Sequence, residues 1–208
     1  MLITKDVIKC ECVYSDDNKH RLYFKKVWDK TKPCAAIVTI HPASADNILL
    51  DQTTHLATNG IARLEKYGGI IVVNLFSLLT SKLETRWARD IDINDPDNDN
   101  YIKKAVDEAS IVIFAWGRTT NSRIQNRASQ LAELLKEHKD KIFVICDGDK
   151  RLIHPLSPSI RNIPWVLEPF YIDKEESDTV PDDVNESAPH IICGEHTKRR
   201  QKAYDPHI

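Results

Sequence analysis

The chain has no long apolar run and no recognisable targeting segment. Its hydrophobic stretches, of which IVIFAW at 111–116 is typical, are far shorter than the roughly 20 residues that cross a bilayer. The N-terminal sequence MLITKDVIKC has neither an apolar core nor a signal cleavage site. These absences predict a cytoplasmic protein with no membrane partner.

The glycine-containing motifs of the common nucleotide-binding and hydrolase folds are missing. The six glycines form no G-x-x-x-x-G-K-[ST], G-x-G-x-x-G or G-x-S-x-G pattern, which disfavours a phosphate-loop NTPase, a Rossmann dehydrogenase and an α/β-hydrolase. Five cysteines, an odd number in a chain of 208 residues, do not suit a disulfide framework. Cys34 and Cys146 lie beside apolar runs and are expected to be core thiols.

The chain also has no excess of basic residues over acidic ones. The chain has 29 Lys and Arg against 31 Asp and Glu, so its net charge is −2 and broad non-specific binding to duplex DNA is not favoured. Local basic patches remain candidates for anion binding. They comprise the tail KRRQK at 198–202 and the residues Arg118, Arg123, Arg127, Lys150, Arg151 and Arg161.

The composition is that of one globular domain followed by a different tail. Hydrophobic residues make up 41% of the chain and charged residues 29%, values that suit a single packed core. We assign residues 1–170 to one α/β domain. Residues 171–208 are assigned to an acidic linker and a basic C-terminal tail, with HIICGEH at 190–196 as a candidate short strand. The sequence does not indicate an oligomeric state.

The hydrophobic pattern predicts an α/β fold. β-Forming residues at 8–28 surround the polar turn SDDNK and predict an N-terminal β-hairpin. Further strands are expected at 34–40, 69–76, 110–117, 141–148 and 164–170, and helices at 54–67, 101–109 and 125–138. Because most of these strands do not alternate and are separated by helices, we expect a three-layer α/β/α fold with a mainly parallel, four-stranded central sheet.

Polar and aromatic groups follow the predicted strands at the point where each one ends. Ligands of open α/β sheets bind at the carboxyl ends of the strands, so these groups form one candidate site. The site comprises His41, Pro42, Ser44, Asn74, Phe76, Trp116, Gly117, Arg151, His154, Ser157 and Ser159.

Four strand-end segments carry a resemblance to a known superfamily. VTIHPASAD, VVNLFSLLT, FAWG and IHPLSPS occur in the order in which the uracil-DNA glycosylase superfamily carries its motifs, over roughly residues 34–160. The resemblance implies a uracil-DNA glycosylase-like fold that binds a nucleic acid or a nucleotide. It also implies release of a base from its sugar without a metal or another cofactor.

The chain resembles a second family more closely. LYFKKVWD, IHPASAD, DQTT, KYGGIIVVNLF, AWG and HPL are similar to the pattern of a bacterial family, domain of unknown function 1643, over about residues 22–160. This resemblance implies no known activity.

The glycosylase resemblance implies roles for individual residues. His154 would donate a hydrogen bond to the base oxygen on which negative charge develops, and Asn74 would bind the edge of the base. His41 stands where the glycosylases carry Asp, Asn or Glu, and it would position or activate a water. The remaining roles are base stacking by Phe76 and phosphate contacts by Ser157 and Ser159.

Other interpretations of the same residues stay open. His41, Asn74 and His154 also suit turns that end strands, and Trp116-Gly117 suits packing followed by a tight turn. A non-catalytic nucleotide or nucleic-acid binding module would use the same pocket. A metal-dependent phosphoesterase would use Asp147 and Asp149 instead. The sequence alone does not decide whether the protein is an enzyme.

Overall fold

An antiparallel hairpin begins the fold, as the β-forming residues around the SDDNK turn predict. β1 (Lys9–Tyr14) pairs with β2 (Arg21–Val27). Asn18 in the turn has a φ of 58°, in the left-handed region that asparagine tolerates. The computed structural model describes residues 2–43, 47–83, 89–146, 152–172 and 191–193.

Four neighbouring strands in the middle of the sheet run parallel. β3 (Cys34–Thr39) pairs with β4 (Gly69–Asn74) on one side and with β5 (Ile111–Phe114) on the other, and β5 pairs with β6 (Ile142–Cys146). All six residues of β4 are buried, as expected for a strand that is covered on both faces.

Cys146 is disulfide-bonded, so the expectation that it is a thiol is wrong.

Antiparallel strands extend the sheet at both edges. β2 pairs with β4, while β7 (Val166–Ile172) pairs with β6 and β8 (Ile191–Cys193) pairs with β7. In the described part of the chain, the sheet therefore has eight strands in the order β1-β2-β4-β3-β5-β6-β7-β8. β8 confirms the candidate strand in the segment that the sequence assigned to the linker and tail.

The predicted fold class is wrong. Four of the seven strand pairings are antiparallel, so the sheet is mixed and not a mainly parallel, four-stranded sheet inside an α/β/α sandwich. The N-terminal hairpin extends one edge of the four parallel strands, where β2 pairs with β4 and Phe24 lies opposite Val72. The uracil-DNA glycosylase-like fold was part of this prediction and is therefore wrong as well.

Helices connect the strands. They are α1 (Gln52–Arg63), α2 (Asp90–Ile93), α3 (Asn98–Glu108) and α4 (Ser122–Leu134). The carboxylate of Asp51 caps α1 by accepting the backbone N–H of Thr54 at 2.9 Å. α1 ends at Arg63, four residues before the predicted end, and Glu65 follows in the left-handed region with a φ of 57°.

α4 begins earlier than the hydrophobic pattern predicts. The side chain of Asn121 accepts the backbone N–H groups of Arg123 and Ile124, and this cap starts the helix at Ser122. After Leu134 the chain continues as a 3₁₀ segment at Lys136–Lys141. None of the helices in the described ranges has the length and apolar composition needed to cross a membrane.

Two hydrophobic cores lie on opposite faces of the sheet, because alternate residues of a strand point to opposite sides. Val38 and Ile71 pack with residues of α3 and α4. Ile37 and Ile70 pack with residues of α1 and with Trp165. The carboxyl ends of β3, β4, β5 and β6 come together along one edge between these cores, and this edge carries the candidate site.

Candidate functional site

The described strand-end residues lie along the carboxyl edge of the parallel strands. His41 follows β3, Asn74 is the last residue of β4, and Trp116 and Gly117 follow β5. The chain after β6 returns to this edge, where Ile153 donates its backbone N–H to the carbonyl of Ile145 at 2.9 Å. The rule that parallel strands gather their carboxyl ends therefore accounts for the shared position of these residues.

Gly117 leaves no room for a side chain beside His154. A Cβ atom on Gly117 would lie 3.0 Å from the Cβ of His154 and 3.1 Å from its backbone nitrogen, and Gly117 has a φ of +70°. A side chain at position 117 would meet both the strained backbone angle and this contact. The glycine therefore allows the segment that carries His154 to approach the end of β5.

The ring of His154 is held in one tautomer. Its Nδ1 lies 3.1 Å from the backbone nitrogen of Leu156 and accepts that N–H. A backbone N–H only donates, so Nδ1 carries no proton and the proton of the neutral ring is on Nε2. Burial, and then the neighbouring His41, lower the pKa of His154 below its usual value of 6.5. At neutral pH this ring is therefore an uncharged hydrogen-bond donor through Nε2.

His41 is held in the opposite tautomer. Its Nδ1 lies 3.2 Å from the carbonyl oxygen of Pro42, which only accepts, so Nδ1 carries the proton. The neutral ring then has its lone pair on Nε2. The effect of His41 on the pKa of His154 shows that the two rings are close enough to interact electrostatically. In their neutral forms, the two rings offer one acceptor and one donor.

Asn74 is engaged within the protein. It is 1% exposed, its Nδ2 donates to the hydroxyl of Thr39 at 2.5 Å, and its Oδ1 accepts from Nη2 of Arg21 at 3.4 Å. Both ends of the amide are occupied in this conformation. The role of Asn74 in reading a base therefore stays a prediction, and the observed contacts position the ends of β3 and β4.

Arg21 is a buried cation that the sequence analysis missed. It is 1% exposed, and its Nη1 lies 3.8 Å from the carboxylate of Asp51. Within the described part of the chain, its Nε and Nη1 atoms have no hydrogen-bond partner. Burial lowers the pKa of Arg21, and the charge of Asp51 opposes this effect. Nothing in the local sequence RLYFKKV distinguishes Arg21 from a lysine or arginine on a strand surface.

The aromatic and proline residues of the candidate set belong mainly to the core. Phe76 is 3% exposed and Trp116 is 4% exposed, and both pack in the core on the α3 and α4 side. The Trp116 ring lies 4.5 Å from that of Phe114. Pro42 is buried, and its carbonyl oxygen also accepts the backbone N–H of Thr80 at 3.2 Å.

The two serines lie just beyond His154. Ser157 and Ser159 hydrogen-bond to each other through their hydroxyls at 2.8 Å, and Ser159 is exposed. Ser44, Asp147, Asp149, Lys150 and Arg151 lie outside the described residues. Arg118 is exposed at the same edge of the sheet.

The described residues give no support for a metal centre. Within the described ranges, no three or more His, Cys, Asp or Glu side chains are grouped to hold a metal ion. The carboxylates that a phosphoesterase would use, Asp147 and Asp149, are not part of these ranges. Among the described residues at this edge, the groups suited to proton transfer are the imidazoles of His41 and His154.

Comparison with known proteins identifies a family but no activity. No curated protein is significantly similar to the chain in sequence. The model of one family, "Protein of unknown function (DUF1643)", matches residues 21–156, a range that runs from Arg21 at the start of β2 to Leu156 beside His154. The chain therefore belongs to the DUF1643 family of proteins of unknown function.

Proposed function

We propose that the site at His41 and His154 hydrolyses an N-glycosidic bond in a nucleotide or a nucleic acid. The observation that carries the proposal is the pair of opposite tautomers, which presents an acceptor on one ring and a donor on the other. A hydrolase that works without a metal can use the acceptor as a general base and the donor to stabilise the leaving group. Membership of the DUF1643 family adds no activity to these observations.

Each histidine has a defined task in this reaction. As the bond between the sugar carbon and the base nitrogen breaks, the electron pair moves to the base, and Nε2–H of His154 stabilises the developing negative charge. A water molecule attacks the cationic sugar carbon, and Nε2 of His41 takes the proton that the water loses. The base leaves with the electron pair of the broken bond and is then protonated. The lowered pKa of His154 keeps this ring an uncharged donor during the reaction.

The choice of a nucleobase as leaving group rests on the sequence. The segments at His41-Pro42, Asn74, Trp116-Gly117 and His154-Pro155 follow the motif order of the glycosylase superfamily, and all lie at one edge of the sheet. The burial of Asn74 sets a condition. If its amide binds the edge of a base, it must exchange its bond to Thr39 for a bond to the ligand.

The test is base release in the presence of EDTA. Single- and double-stranded oligonucleotides that carry uracil, hypoxanthine and other altered bases, together with free nucleotides, are incubated with the protein and assayed for abasic sites or free base. His154→Ala and His41→Gln are each expected to lower kcat/KM by about 10²-fold or more, as is usual for loss of a general acid or base. His55→Gln is the matched control, because His55 is exposed on α1 and its side chain bonds only to Asn59 among the described residues.

The outcomes separate the alternatives. Base release that persists in both histidine variants would contradict the assignment of the site. Release from no substrate would contradict the enzymatic proposal and favour the non-catalytic binding module. Activity that requires Mg²⁺ and disappears with EDTA would favour the phosphoesterase.

A further inference from the structure

β1 forms one edge of the sheet. Among the described strands it pairs only with β2, and its first three residues, Lys9, Cys10 and Glu11, are exposed. An edge strand directs part of its backbone N–H and C=O groups away from the sheet, where a further strand can pair with them. β1 has six residues and no proline, and its register with β2 shifts only between Val13 and Tyr14. Its first part therefore offers a regular edge to a partner strand.

Exposed apolar side chains precede this edge. Leu2, Ile3, Val7 and Ile8 are between 51% and 90% exposed, and they are four of the eight exposed large hydrophobic residues in the described part of the chain. Exposed apolar residues that cluster are typical of an interaction site, whereas scattered ones are not. Because Val7 and Ile8 directly precede β1, a strand that pairs with β1 also covers these two side chains.

The charges of β1 make it complementary to a second copy of itself. When two copies of a strand pair antiparallel about a twofold axis, the residue on the axis lies opposite itself. An axis through Cys10 places Lys9 of each copy opposite Glu11 of the other. An axis through Lys9 would place two ammonium groups opposite each other, and one through Glu11 would place two carboxylates there. Since like charges in opposite positions destabilise a strand pair, the axis through Cys10 is favoured.

The same register brings the apolar residues together. If the pairing continues toward the N-terminus, Val7 lies opposite Val13 of the second copy and Ile8 lies opposite Cys12. Val13 packs against the hydrophobic core on the α3 side of the sheet, and Cys12 packs against the core on the α1 side. Because alternate residues of a strand point to opposite faces, Val7 and Ile8 extend both cores across the interface.

Glu11 already has a neighbour within its own chain. Its carboxylate lies 3.7 Å from Nζ of Lys104, and both side chains are largely exposed. An exposed ion pair of this kind contributes little to stability. A carboxylate has two oxygens and accepts several hydrogen bonds, so Glu11 can also pair with Lys9 of a second copy.

We propose that two copies of the chain pair antiparallel through β1, with Cys10 of each copy on the twofold axis. The two sheets then form one continuous sheet, and each copy covers the exposed Val7 and Ile8 of the other. The interface contains neither His41 nor His154. The inference therefore goes beyond the proposed hydrolysis and does not depend on it.

The first test is sedimentation equilibrium of the full chain at increasing concentration, with Cys10→Ser in every sample to prevent disulfide formation. We expect a monomer–dimer equilibrium. Lys9→Glu and Glu11→Lys should each weaken dimerisation at least about tenfold, because two attractive pairs become repulsive. The double variant should restore it, because each glutamate again faces a lysine. Lys139→Glu, at an exposed position before β6, is the matched control, and Lys104→Gln controls for the intrachain partner of Glu11.

The second test is oxidation with copper–phenanthroline, which reports the register. Side chains directly opposite on paired strands have Cβ atoms about 4.5–5.5 Å apart, close enough to form a disulfide after a small adjustment. Cys10 is an exposed free thiol. We expect a covalent dimer that disappears in Cys10→Ser and persists in Cys12→Ser and Cys34→Ser.

The outcomes decide for or against the paired edge. A concentration-dependent dimer that is weakened by each single charge variant and restored in the double variant supports it. A chain that is monomeric at every concentration would overturn it. So would a dimer that neither charge variant weakens, a double variant no better than the single ones, or a covalent dimer that persists in Cys10→Ser.

Discussion

Gly117 lies directly against His154, so that a Cβ atom at position 117 would be 3.0 Å from the Cβ of the histidine. The contact joins the end of β5 to the segment after β6. The tautomers of both histidines of the proposed site depend on backbone atoms in the segments that follow strands. Nδ1 of His154 accepts from the backbone of Leu156, and Nδ1 of His41 donates to the carbonyl of Pro42. A displacement of the segment that carries either ring would therefore break the hydrogen bond that fixes its tautomer.

Gly117→Ala is expected to destabilise the protein and to disturb His154. The positive φ of Gly117 costs an alanine about 1–2 kcal/mol, and the contact with the backbone of His154 adds to this cost. Thermal unfolding measures the stability, and the ring signals of His154 measure the local change. Gly69→Ala is the control, because Gly69 begins β4 at the end of the strand opposite to Asn74, and its Cβ would lie 2.7 Å from the Sγ of Cys34. Equal changes of the His154 signals in both variants would contradict a specific role for Gly117.

The stability of the protein is expected to depend on the protonation of His154. Its pKa in the folded protein is below 6.5, so as the pH falls through 6.5 the unfolded chain binds a proton that the folded protein does not. The free energy of unfolding should therefore fall with pH between 6.5 and the lower folded pKa. His154→Gln should reduce this slope in chemical denaturation. An identical slope in the wild type and the variant would show that the pKa of His154 is not lowered by folding.

His41→Gln provides a second check on the same titration. His41 lowers the pKa of His154, but burial is the larger cause. Removing the imidazole should therefore raise the pKa of His154 in an NMR titration without bringing it to 6.5. A pKa of His154 that is the same with and without His41 would show that the two rings do not interact.

Arg21 and Asp51 are expected to be coupled in stability. Asp51→Ala removes the cap of α1, which costs about 1 kcal/mol, and also leaves the buried Arg21 without its nearby carboxylate. In an Arg21→Met background only the cap is lost, so the cost of Asp51→Ala should be smaller. A double-mutant cycle by urea denaturation should give a coupling of about 0.5–3 kcal/mol. Additive effects would show that the ion pair between Arg21 and Asp51, whose charged atoms are 3.8 Å apart, contributes nothing to the free energy of unfolding.

The sequence predicts the central strands well, because their apolar runs are buried on both faces. β3 and β6 begin and end within two residues of the predicted runs at 34–40 and 141–148. The edges could not be predicted in the same way. The hydrophobic pattern of a strand does not indicate which strand it pairs with. The pairing of β2 with β4, in which Phe24 lies opposite Val72, and the pairing of β8 with β7 are therefore known only from the structure.

The shared location of the strand-end residues could be predicted from the sequence, but their contacts could not. The strand-end rule places His41, Asn74, Gly117 and His154 at one edge of the sheet. It does not reveal that Asn74 is buried by contacts with Thr39 and Arg21, because the asparagine and Arg21 are 53 residues apart. The tautomers depend on single backbone atoms, which no sequence motif specifies.

The most direct test of the proposed site is the protonation of the two imidazole rings. Long-range ¹H–¹⁵N NMR spectra of the ¹⁵N-labelled protein at neutral pH distinguish a protonated from an unprotonated ring nitrogen, and His41→Gln and His154→Gln assign the signals. We expect the proton of neutral His154 on Nε2 and the proton of neutral His41 on Nδ1. The same tautomer in both rings, or a doubly protonated His154 at neutral pH, would contradict the donor and acceptor pair on which the proposed hydrolysis rests.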